Sequence, residues 1–77
     1  MSESQSFSQP SELATLLCRE LIRLARHEEE LGATESARTP YWTPVPASVL
    51  GHQLAAAALR DGVAHIEAAA RGALIAS

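Results

Sequence analysis

The sequence predicts an all-α protein: a two-helix hairpin on a proline-rich linker, assembling with a second copy as a four-helix-bundle homodimer. Three observations carry this. Two long alanine- and leucine-rich runs place apolar residues at three- and four-residue steps, the signature of amphipathic helices. Between them, Arg38 to Pro46 holds Pro40, Pro44 and Pro46, three of the chain's four prolines. Finally, 77 residues is near the size at which one core supplies only about 3–5 kcal/mol without a disulfide, a metal or a second subunit.

Residues 1–9 are rich in Ser and Gln and read as a flexible terminus, with Phe7 the one anchor able to fold them back. Residues 10–77 read as a single helical domain. The first helix is expected over 10–31. Pro10 suits the first helical position, where its missing N–H costs nothing, and Glu12 favours the positive end of the helix dipole. Leu13, Leu16, Leu17, Leu21, Leu24 and Leu31 form one broad face, with Arg19, Arg23, Arg26 and Glu30 opposite. Gly32 is the natural stop, able to take a left-handed cap conformation.

The linker is then 32–46. Proline fixes φ and disfavours helix in the residue before it, so this stretch must be extended or turned. The second helix is expected over 47–76, with Leu59, Val63, Ile66, Ala70, Ala73 and Leu74 on one face. Small residues beside them, among them Gly51, Ala55, Ala58 and Gly62, would let another helix approach closely. Asp61-Gly62 is also a turn signal, so the alternative is a three-helix monomer broken there. The apolar phase runs through it, which favours a continuous helix. At about 1.5 Å per residue the two helices would be about 33 Å and 45 Å long. That mismatch would expose part of the second, and a second hairpin would cover it.

Composition narrows the function without identifying it. The chain carries a net charge of −3, and its six basic residues are all arginine, spread over helices and linker, without the basic stripe of a phosphate-backbone binder. Direct nucleic-acid binding is not expected, and a linker this long does not fit a helix-turn-helix reader. The absence of lysine and asparagine with abundant alanine suggests a GC-rich genome, bacterial or phage. No apolar run of about 20 residues spans a membrane, and the amino terminus lacks signal-peptide features, so a cytoplasmic location is expected. A lone Cys18 reads as packing, kept reduced in that compartment.

His27-Glu28-Glu29-Glu30 is the densest polar cluster, with His52 and His65 on the other helix. Carboxylates and imidazoles on facing helices suit a ferritin-like di-metal site, but no Glu-x-x-His pair occurs. The plainer expectation is that Glu28 is solvated where the helices splay, and that His52 caps a helix or pairs with a carboxylate. A Glu28–His52 acid-base pair would lack a substrate pocket, and no nucleophile triad or phosphate loop is present. No catalytic residue, cofactor or metal is therefore assigned.

The remaining supply is an interface. Tyr41 and Trp42 sit on the linker beside Glu28, Glu29, Glu30 and Glu35, and these six are the candidate partner-binding residues. Trp42 reads slightly better as a plug over the open bundle end, meeting Leu31, Leu50 or Leu54, and Tyr41 as a recognition residue. The expected function is a non-enzymatic protein-binding or regulatory module acting on a larger protein. Two alternatives stand beside it: a small phage-type inhibitor whose acidic surface blocks a nucleic-acid-binding complex, and a ferritin-like metal-binding protein.

Overall fold

A computed structural model describes residues 10–76, with side chains from 11 to 72. The terminus 1–9 with Phe7, and the side chains of Ala73 and Leu74, lie outside the described residues. Two helices, α1 (Pro10–Arg38) and α2 (Ala47–Ala76), pack antiparallel along one another, and the described residues include no strand. Neither helix is long and apolar enough to cross a membrane.

α1 begins at Pro10 with Glu12 in its first turn, as the capping chemistry requires. It does not stop at Gly32. The helix runs on to Arg38, and no glycine has positive φ. Gly32 is buried mid-helix against Val49 and His52 of α2, where a larger residue would press on the facing chain. The stop comes from Pro40. It restricts Thr39, whose N–H closes a tight last turn on the Ser36 carbonyl at 3.1 Å while its hydroxyl bonds the Glu35 carbonyl at 2.9 Å. The linker therefore shrinks from the expected 32–46 to the segment between Arg38 and Ala47.

α2 passes through Asp61-Gly62 without a break, so the three-helix alternative does not form. Gly62 faces α1, with the Leu21 Cδ1 atom 3.5 Å from where its Cβ would be. The helices are also matched in length, 29 and 30 residues. The expected overhang, one of the arguments for a dimer, disappears.

The packing differs from the leucine face read in the sequence. Cys18, Ala25 and Gly32 are buried on α1, and Val49, Ala56 and Val63 on α2. Each set steps by seven residues. A seven-residue repeat keeps one line of a helix facing its partner when the pair coils left-handedly. Because no residue in this line exceeds valine, the backbones come close, and the Cys18 thiol meets the Val63 carbonyl at 3.8 Å. A second line, Ala14, Leu21, Glu28 and Glu35 against His52, Leu59 and Ile66, is half-buried. The large leucines flank the seam instead of filling it: Leu13, Leu16, Leu17 and Leu31 stay exposed.

Candidate interaction surface

The linker builds a tight turn. Proline at positions 40, 44 and 46 disfavours helix in each preceding residue, and the Thr43 N–H reaches the Pro40 carbonyl at 3.1 Å while the Thr43 hydroxyl reaches the same oxygen at 2.9 Å. Tyr41 and Trp42 occupy the two corner positions of that turn. Corner side chains project outward, and Tyr41 is 95% and Trp42 72% exposed. The expected Trp42 plug is thereby overturned, because the turn aims the ring away from the helix ends. The two rings meet edge to face, with centroids 5.1 Å apart at 86°. This geometry suits the aromatic quadrupoles.

Sequence reasoning missed what extends this tip. Val45 is exposed in the linker, and Leu50 and Leu54, one turn apart at the start of α2, are exposed as well. Their signal was available: Leu50 and Leu54 stand off the small-residue heptad line that α2 buries.

The acidic residues are placed differently from one another. Successive helical residues diverge by about 100°, so Glu28, Glu29 and Glu30 point three ways. Glu28 lies in the half-buried line and its carboxylate meets His52 Nδ1 at 2.7 Å, an ion pair across the helices when the imidazole is protonated. The sequence expectation of a solvated Glu28 gives way to that pairing. Glu29 takes both hydrogen bonds of the Arg60 guanidinium at 3.0 Å, which holds its carboxyl below the usual range and raises Arg60. Glu35 accepts from the Ser48 hydroxyl at 2.5 Å. Glu30 remains exposed. Three of the four candidate carboxylates thus tie α1 to α2.

Glu28 and His52 are two potential ligands without a third, and among the described residues no group of three His, Cys, Asp or Glu side chains converges on one point. His27 and His65 are exposed. The Arg23 guanidinium bonds Glu20 one turn earlier, which lowers the Glu20 carboxyl and raises Arg23. No protein family, no curated protein and no solved structure matches this chain.

Proposed function

We propose that this chain is a non-enzymatic protein-binding module, working as a homodimeric four-helix bundle that presents an aromatic tip to a larger protein. The observation that carries the reading is the exposure of Tyr41 and Trp42 at the corners of a hydrogen-bonded turn. Two large amphipathic rings held against each other lose little entropy on docking, and such residues dominate interface energetics. Val45, Leu50 and Leu54 extend the apolar contact. The net charge of −3 and the exposed Glu30 favour a basic partner, steered by charge and held by the rings.

Dimerisation is supported by the poverty of the core. The buried hydrophobic residues described are Cys18, Ala25, Val49, Ala56 and Val63. At about 0.8 kcal/mol per buried CH₂, alanine and valine contribute less than leucines would. Covering the exposed leucines with a second hairpin supplies the remainder.

The test is co-purification of a tagged chain from its native host with mass spectrometry, beside a Tyr41→Ala, Trp42→Ala double variant. The variant should keep its helical circular dichroism and lose the partner. A folded variant that still captures the same protein would overturn the aromatic-tip reading.

A further inference from the structure

The seam divides the hairpin into two unlike sides. Residues four positions after a seam residue turn to one side, and there Glu29 of α1 meets Arg60 of α2. With Arg19, Arg26 and Arg71 nearby, that side is charged. Residues one position before a seam residue turn to the other side. On α1 these are Leu17, Leu24 and Leu31, an apolar ridge in which Leu17 and Leu31 are 45% and 39% exposed. On α2 the same side carries Gly51, Ala55, Ala58, Gly62 and Ala69, a shallow groove interrupted only by exposed His65.

Nothing inside the hairpin accounts for Gly51. A glycine within a helix is less favourable than alanine, yet a Cβ built at Gly51 meets no atom within 4 Å. A side chain would fit the isolated hairpin, so a glycine there points to close approach from outside.

Ridge and groove lie at matching heights. The contacts of Gly32 with Val49 and of Gly62 with Leu21 set the register, which brings Leu31 level with Gly51, Leu24 level with Ala58, and Leu17 level with His65. A two-fold axis parallel to the helices, between two stacked hairpins, places each α1 over the other copy's α2 at unchanged height. At Leu31 and Leu24 each ridge then falls into the other's groove, twice, as a closed two-fold interface requires, while Leu17 meets the one larger side chain there, His65. An axis running across the helices would set ridge on ridge and leave groove facing groove, a void along the bundle.

We infer that the partner on this face is a second copy of the chain, related by a two-fold axis along the helices, so that both Tyr41–Trp42 turns emerge from the same end. The inference rests on the homodimer reading above and deepens it. A paired tip engages two sites on one partner at once, and its avidity exceeds that of either turn alone.

The experiment attaches nitroxide labels at Thr43→Cys in the full chain, with Cys18→Ala, and measures the distance between them by pulsed electron paramagnetic resonance. Because Cys18 is buried, Thr43→Cys alone labels first and serves if the double variant does not fold. With helix axes about 8–10 Å apart and flexible label arms, tips at one end lie on the order of 20–30 Å apart. Tips at opposite ends would lie about 45 Å apart or more. Sedimentation of Ala58→Leu and Gly51→Leu should show dimers weakened by about tenfold or more with helical spectra unchanged. Ala64→Leu, on the charged side, should dimerise normally. A monomer at about 100 µM, a dimer with the long distance, or an Ala58→Leu variant that dimerises normally would each overturn the arrangement. A monomer that still needs Tyr41 and Trp42 for its partner would leave the aromatic tip standing and remove only the dimer.

Discussion

Gly32 lies so close to α2 that a Cβ added to it would stand 3.3 Å from the Cβ of His52, with the Val49 carbonyl oxygen 3.8 Å away. The residue that looked like a helix terminator is therefore a spacer. Gly32→Leu should lose about 1–3 kcal/mol by denaturant unfolding through overpacking. Ala33→Leu, on the exposed side of α1 next to Gly32, should change stability by less than about 0.5 kcal/mol. Equal effects at both positions would remove the spacing argument.

His52 and Glu28 should be coupled. Each side chain is between a quarter and a third exposed, and the 2.7 Å contact bridges the helices near the turn. A double-mutant cycle with Glu28→Gln and His52→Ala is expected to give an interaction energy of about 0.5–1.5 kcal/mol at neutral pH. Zero coupling would mean that the contact contributes nothing in solution. Metal analysis of the chain purified without chelator checks the ferritin-like alternative directly: stoichiometric iron, manganese or zinc lost in either variant would favour it.

The Glu29–Arg60 pair sets a pH dependence. Hydrogen bonds from Arg60 lower the Glu29 carboxyl below its ordinary 4.5, so the folded state binds that proton less readily than the unfolded chain. The stabilisation is present above 4.5 and lost as pH falls through the lowered value. Both groups are solvent-exposed, so the coupling should also shrink in about 1 M salt. A Glu29–Arg60 cycle measured at neutral pH and near pH 2 reads this, and coupling that persists in acid would contradict it.

Cys18 should report opening of the seam. Its thiol is buried against the Val63 carbonyl, so labelling by a thiol reagent requires the helices to part and should accelerate with denaturant in step with unfolding. Cys18→Leu is expected to cost about 1–3 kcal/mol by overpacking. Immediate labelling in native buffer would place the thiol outside the seam.

Trp42 should matter to binding and not to folding. With its ring held by the turn instead of the core, Trp42→Ala is expected to change stability by less than about 0.5 kcal/mol. Its fluorescence should be readily quenched by iodide. A loss of several kcal/mol would restore the plug.

Helix existence was legible because it depends on local terms: periodic apolar residues across 10–31 and 47–76, and Pro10 at the first helical position. The start of α2 after Pro46 was legible for the same reason. The end of α1 was misplaced because glycine has two uses, a left-handed cap and a close approach, and only the facing chain selects between them. At the candidate site, the exposed pairing of Tyr41 with Trp42 could be suspected from the prolines around it. Its direction depended on the hydrogen bond from Thr43 to Pro40.

By itself the sequence determined two helices, a proline-made turn and the residues displayed at it, since propensity, φ restriction and periodicity act within a few residues of chain. Tertiary structure decided which line of each helix is inside. Leucines 13, 16, 17 and 31 outnumber and outsize the small residues, yet Cys18, Ala25 and Gly32 took the seam with Val49, Ala56 and Val63. Two helices that must lie side by side with a short connection pack most closely where side chains are smallest, and that choice is made by the pair together.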